Sequence, residues 1–275
     1  MLTLNCTGRL IKWEQPIVMG IINTTPDSFH SDSRANSISD AVLMAEKMLQ
    51  DGASILDIGG QSTRPGSEMV GSEKEAERVI PVIQAILQKF PEAILSIDTY
   101  HATIARLAVE AGASIVNDVS SGLTDSNMLD TVALLKTPYI CMHHGGSSTD
   151  LHHPISNLAP IQAVYDFFIE RLYACKNAGI KDVIIDPGFG FGKTVEANFA
   201  VVKDLAILKQ LNHPILLGVS RKSSIYKTIG GTAETALNGT SVVNTVGLLN
   251  GADILRVHDV KEAMEAIQLV KMMYP

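Results

Sequence analysis

The sequence predicts an α/β fold, a (β/α)8 TIM barrel, from three observations. Eight short apolar, β-branched runs recur along its 275 residues: 17–22, 54–58, 94–97, 114–116, 139–142, 182–185, 215–219 and 253–257. They are continuous rather than alternating, as expected of parallel strands covered on both faces. A local phrase also repeats: Asp51-Gly-Ala-Ser-Ile-Leu-Asp57, Ala111-Gly-Ala-Ser-Ile-Val-Asn117 and Asn250-Gly-Ala-Asp-Ile-Leu-Arg256, with a looser version at Asn177–Val183. In each, a glycine ends a helix and a short strand follows. Eight strand-then-helix units in this length fit an eight-stranded barrel.

The elements follow in order. Residues 2–13 read as a short hairpin that closes the bottom of the barrel. Ser37-x-x-Asp40 has the form of a capping box, and Val42, Ala45, Met48 and Leu49 recur at helical spacing after it. Ser72-x-x-Glu75 opens the second helix in the same way, and Pro81 should kink it. Ile104, Leu107, Ala108 and Ala111 place a third helix. No Gly/Ser linker or break in composition divides residues 1–275, so one domain is expected.

Bulk properties narrow the function. The hydrophobic fraction is 46%, the net charge −7, and no Lys/Arg-rich block stands out, which argues against a nucleic-acid partner. The first residues do not read as a secretory signal, and no apolar stretch reaches the ~18 residues of a membrane span. Cys6, Cys141 and Cys175 are far apart and read as reduced packing residues. A cytoplasmic protein is expected.

In such barrels the chemistry lies at the C-terminal ends of the strands. Those ends carry Asn23, Asp57, Asp98, Asn117-Asp118, His143, Asp186, Ser220-Arg221-Lys222, and Arg256 with His258. A polar residue that caps a strand and binds its own turn explains any one of these, and for Asp118 both readings stay open. It does not explain the set. The stretch Asp186-Pro-Gly-Phe-Gly-Phe-Gly-Lys-Thr194 resembles a nucleotide P-loop, but Pro187 stands where the first glycine belongs and has no N–H for a phosphate nest. The better reading is a loop that brings Asp186, Phe189 and Phe191 beside a flat ligand, with glycines allowing close backbone approach. His143, His144, His152 and His153 lack a metal-ligand spacing and read as a polar loop.

Seven motifs together resemble the dihydropteroate synthase family. They are Met19–Phe29 (MGIINTTPDSF), Asp57–Gly66 (DIGGQSTRPG), Ser96–Thr99, Asn117-Asp118, Asp186–Lys193, Ser220-Arg-Lys-Ser223 and Arg256-Val-His-Asp259. The resemblance covers nearly the whole chain. It implies condensation of 6-hydroxymethyl-7,8-dihydropterin diphosphate with 4-aminobenzoate in folate biosynthesis, with release of diphosphate.

By that resemblance Asp186, Asn117 and Asp98 recognise the pterin, and Lys222 contacts its ring. Arg256, His258 and Thr63 hold the diphosphate. Asn23 contacts the diphosphate and Mg²⁺, the implied cofactor. Arg64, Pro65, Phe191 and Ser223 surround 4-aminobenzoate. The segments 24–36 and 61–71 would act as lids. The family also implies a homodimer and sensitivity to sulfonamides.

The chain departs from the family at Gln61, where glutamate is common, at His143-His144-Gly145-Gly146, and at Phe29–Arg34. A pterin-dependent methyltransferase shares the barrel but has no need of the Arg256/His258 pair. A non-catalytic pterin-binding paralogue is the second alternative.

Overall fold

A computed structural model describes residues 2–24, 34–61, 70–145 and 159–274. Strands β1 (Leu2–Cys6) and β2 (Arg9–Trp13) form the expected antiparallel hairpin. Eight parallel strands follow: β3 (Ile17–Asn23), β4 (Ile55–Gly59), β5 (Leu95–Asp98), β6 (Ile115–Asp118), β7 (Tyr139–Met142), β8 (Val183–Asp186), β9 (Leu216–Leu217) and β10 (Ile254–Val257). Their order is β8-β7-β6-β5-β4-β3-β10-β9, and a parallel bridge between Ile185 and Ile215 joins the last to the first. The barrel is the predicted one.

Around it lie α1 (Arg34–Gln50), α2 (Ser72–Lys89), α3 (Ala102–Glu110), α4 (Met128–Leu135), α5 (Pro160–Ala178), α6 (Val195–Lys203), α7 (Ser223–Thr228), α8 (Leu237–Leu249) and α9 (Val260–Met273).

Strand side chains alternate between the two faces, and this alternation sorts the barrel into layers. Ile17, Met19, Ile55, Ile94, Ile115, Ile140, Ile184, Leu216 and Ile254 point inward and form one apolar cluster. Leu4 and Cys6 of the hairpin, with Ile11 and Trp13, plug that cluster from below. The outward set, including Val18, Leu56, Ile97, Val116, Cys141, Ile185 and Leu255, packs beneath the helices in the larger core. Two residues further along five of these rows the lumen turns polar, at Asp57, Ser96, Asn117, Asp186 and Arg256; Ile21, Met142 and Gly218 occupy that level on the other three. The apolar floor therefore excludes water from below a charged mouth.

Some local expectations are corrected. β9 shrinks from the anticipated 215–219 to two residues, because the chain leaves the ladder at Gly218 and turns, with the Lys222 N–H donating to the Val219 carbonyl at 3.2 Å. α1 begins three residues before Ser37, so that serine lies inside the first turn rather than capping it. Pro81 does not interrupt α2, whose buried face carries Val79, Val82, Ile83 and Ile86 on both sides of the proline. Gly71 is its N-cap, with no side-chain capping bond. Thr194 is a genuine cap, its Oγ1 accepting from the Ala197 N–H at 3.2 Å.

Glu75 does not close a capping box. It is fully buried behind β4 and β5, and burial pushes its carboxyl up to about 7 against the opposing pull of Thr99 and Arg78. A carboxyl raised in the folded state holds a proton that the unfolded chain has already lost. Its stabilising effect is complete below the unfolded value and fades as pH rises through about 7. Glu75→Gln removes this penalty. We expect the variant to match the parent at about pH 4 and to exceed it at pH 8 by on the order of 2 kcal/mol, read by urea denaturation at both pH values. Equal differences at both would contradict the assignment.

Candidate active site

The site is built outward from Arg256 on β10. Its Nε donates to Asp57 Oδ2 on β4 and its Nη2 to Asp98 Oδ2 at the end of β5, each at 2.6 Å. Asp57 Oδ2 also accepts from Asn117 Nδ2 of β6 at 2.9 Å. That bond assigns the amide, because a carboxylate can only accept, and it leaves Asn117 Oδ1 as an acceptor. One guanidinium thus ties three strands together across the lumen. Burial opposes its charge, but the facing Asp57 and Asp98 outweigh this and hold it protonated. Asp98 is pushed up, first by burial, then by the like charges of Asp57, Glu75 and Asp118, with Arg256 opposing.

Asp186 ends β8, which is separated from β10 only by β9. It is 6% exposed, and its Oδ1 accepts from the Gly188 N–H at 2.8 Å. Burial raises its pKa against Lys222 and that backbone bond. Gly218 of the neighbouring wall faces both Asp186 and Arg256 and leaves room between them, since a Cβ there would lie 3.8 Å from Asp186 Oδ2. Lys222 follows β9. Its Nζ donates to the Phe189 carbonyl and sits 4.4 Å from the centre of the Phe191 ring. Burial pulls its pKa down to about 8, with Asp186 opposing.

The glycine loop after β8 also serves the fold. A Cβ on Gly188, at φ +66°, would collide with the His143 carbonyl, and one on Gly145 with the Gly192 carbonyl. These glycines therefore let the β7 and β8 exit loops touch backbone to backbone, a role the sequence does not announce. Lys193 lies beneath this loop and donates to the carbonyls of Gly188 (2.8 Å) and Phe191 (3.2 Å), the role opposite to that of a P-loop lysine. Phe189 is corrected: it is fully buried in the outer core, edge-on to Phe199 at 5.8 Å. Phe191 does line the mouth side, clustered with Tyr100, Val119 and Met142.

Asp118 resolves to the local-turn reading. Its carboxylate accepts from the Ser120 N–H and hydroxyl, the Gly122 N–H and the Tyr139 hydroxyl, all within 2.7 Å, and so is satisfied within the fold. His143 and His144 are buried against the edge of Phe167 rather than forming a polar loop, and burial drives His143 down to about 2, hence neutral. Among the described residues no group of three His, Cys, Asp or Glu could hold a metal ion.

At the β9–β10 edge, Ser220 Oγ lies 3.0 Å from His258 Nδ1 and accepts from the His258 backbone N–H at 3.2 Å. Arg221 forms a two-pronged pair with Asp259, at 2.9 and 2.7 Å. Ser223 opens α7 with Lys222 as its N-cap. Asn23 ends β3, half-buried beside Gly59. Thr63, Arg64 and Pro65 lie outside the described residues, as do His152, His153 and most of both expected lids.

A polar, charged barrel mouth of this kind has close counterparts. The family of pterin binding enzymes matches residues 19–258. The dihydropteroate synthase of Escherichia coli (strain K12) is 39% identical over 266 residues, covering 96% of this chain and 94% of its own. The chain belongs to the dihydropteroate synthase family. It is a transferase of that type. The dihydropteroate synthase of Xanthomonas albilineans bound to 4-aminobenzoic acid superposes with a TM-score of 0.91 at 38% identity, over 98% of this chain and 97% of that one. The same enzyme with 7,8-dihydropteroate gives 0.89 at 36% identity, over 99% and 98%.

Against this family, three parts of the site carried no assigned role in the sequence reading. Asp57 was visible only as a strand-end acid, although its parity with inward Ile55 marks it as a lumen residue. Ser220 and Arg221 gave no sign of their partners, which are 38 residues away.

Proposed function

We propose that this barrel mouth joins 6-hydroxymethyl-7,8-dihydropterin diphosphate to 4-aminobenzoate, releasing 7,8-dihydropteroate and diphosphate in folate biosynthesis. The observation that carries the reading is the placement of Arg256 on β10 and Asp186 on β8 at one mouth, two strands apart with Gly218 leaving room between them. A flat heterocycle with an aminopyrimidinone edge offers two donors to one carboxylate, and Asp186 accepts both. Asn117, through its remaining Oδ1, and Asp98 complete that recognition. Lys222 flanks the ring.

Arg256, His258, Thr63 and Asn23 take the diphosphate end, where a planar fork suits phosphate oxygens. The methylene C–O bond breaks with its electron pair passing to the diphosphate. The arylamine lone pair forms the C–N bond, and the surplus amine proton leaves to water. Arg256 and His258 stabilise the charge that develops on the leaving group. Arg64, Pro65, Phe191 and Ser223 border the 4-aminobenzoate.

Asn23 presents one half-buried carbonyl oxygen at the mouth. One protein oxygen with phosphate oxygens and water fits Mg²⁺, which keeps most of its shell from solvent and substrate. Bound there, the ion would neutralise charge on the diphosphate. Chelation with EDTA is expected to abolish turnover and to weaken pterin diphosphate binding while leaving affinity for a pterin without phosphates unchanged. An EDTA-insensitive enzyme would remove Mg²⁺ from the account.

Lys222 gives a pH prediction. Its ammonium is lost as pH rises through about 8. A role in holding the electron-rich pterin therefore predicts an alkaline fall in kcat/KM near that pH, and Lys222→Arg moves it upward. A limb that stays in place in the variant would assign it to another group.

The whole chain would act as one domain, in the cytoplasm, and as a homodimer. Exposed Ile229, Val242, Val246 and Leu249 near α7 and α8 offer the apolar face. The test of function is mass spectrometry of a mixture of protein, pterin diphosphate, 4-aminobenzoate and Mg²⁺. Equal yields of dihydropteroate and diphosphate support the synthase. Pterin binding without products would instead indicate a non-catalytic paralogue.

A further inference from the structure

We infer that Ser220 is a positioning residue that fixes the ring of His258 with its proton on Nε2, so that the neutral imidazole serves as a hydrogen-bond donor to an anionic oxygen. The inference rests on the assignment of His258 to the diphosphate.

Ser220 is 5% exposed. Its Oγ already accepts from the His258 backbone N–H at 3.2 Å, and its own hydrogen still needs an acceptor. Among the described residues, the acceptor recorded within reach is His258 Nδ1, at 3.0 Å. A buried hydroxyl hydrogen left unpaired costs more than the bond itself returns, so the hydroxyl donates to Nδ1. A nitrogen that accepts carries no proton, and the neutral ring must then carry it on Nε2. One serine thus binds both the backbone and the ring of the same histidine, which fixes where the side chain leaves the chain and how it is turned.

The adjacent contacts make this arrangement stiff. Arg221 and Asp259, the next residues along each segment, form the two-pronged pair already described. Arg221 is held at φ +55° and its N–H donates to Thr240 Oγ1 at 3.0 Å. Two consecutive residues after β9 are therefore latched to two consecutive residues after β10. The same latch orients Lys222, the following residue. Neither the serine nor the arginine needs to touch substrate for this.

The test uses the intact protein with ¹⁵N-labelled histidine. Long-range proton–nitrogen correlation spectra at about pH 9, where an ordinary imidazole is neutral, report which nitrogen bears the proton. The expected spectrum shows His258 protonated at Nε2, with a hydrogen-bonded Nδ1. Protonation at Nδ1 would overturn the inference. In Ser220→Ala the Nδ1 signal should lose its hydrogen-bonded shift. Diphosphate affinity should fall about tenfold, the scale of one lost charge-assisted bond, while affinity for a pterin without phosphates stays unchanged. Equal loss of both affinities, or no loss of either, would also overturn it. Ser220→Thr keeps the hydroxyl and should restore most of the effect. His258→Ala separates the two readings: if it leaves diphosphate affinity untouched, the assignment of His258 to the diphosphate fails, whatever the tautomer.

Discussion

Arg256→Ala is expected to abolish turnover, lowering kcat/KM by about a thousandfold or more, and to destabilise the fold by about 3–5 kcal/mol. Two effects combine. The guanidinium is the cation joined to both Asp57 and Asp98 at 2.6 Å. Removing it leaves two buried carboxylates facing each other without compensation, and it takes away the fork that receives the leaving group. Arg256→Lys restores a charge but not the fork, because one ammonium cannot span two acids and still face the diphosphate. We therefore expect lysine to recover much of the stability and little of the rate. Thermal denaturation and steady-state kinetics on the three proteins check this. Full activity in either variant would remove Arg256 from the diphosphate site.

Asp186→Asn is expected to lower pterin affinity about a hundredfold, measured by titration calorimetry with a pterin that carries no phosphates. The substitution is nearly isosteric, and its amide oxygen can still accept from the Gly188 N–H. The turn after β8 should therefore survive, and Tm should change little. What is lost is the second acceptor and the charge, which together receive the two donors of the heterocycle. A Kd within twofold of the parent would move pterin recognition elsewhere in the mouth.

The barrel itself was legible because continuous β-branched runs and the recurring glycine-strand phrase are local signals. The polar strand ends were legible for the same reason: each breaks an apolar run. What the residues then do was set by tertiary partners. Asp118 and Asp186 look alike in sequence, yet the first is saturated by its own turn and by Tyr139, and the second faces the lumen. The glycines after Asp186 read as room for a ligand, and the sequence gives no sign that two of them, Gly188 and Gly192, also admit the backbone after β7. Phe189 and Phe191 differ by two residues and end on opposite sides of that loop, because the turn at Gly188–Phe191 breaks strand alternation. Glu75 illustrates the same limit: a capping pattern fits it, but α2 starts at Ser72, which puts the carboxyl on the helix's buried face.

The central claim is that one mouth has two chemically distinct ends, a carboxylate for the ring and a guanidinium for the phosphates. The most direct test is a pair of affinities, for a phosphate-free pterin and for diphosphate with Mg²⁺, measured in Asp186→Asn and Arg256→Ala. The account predicts a crossed result: Asp186→Asn loses the pterin and keeps the diphosphate, and Arg256→Ala does the reverse. If each variant loses both ligands to the same extent while remaining folded, the two ends are not separate and the assignment is wrong.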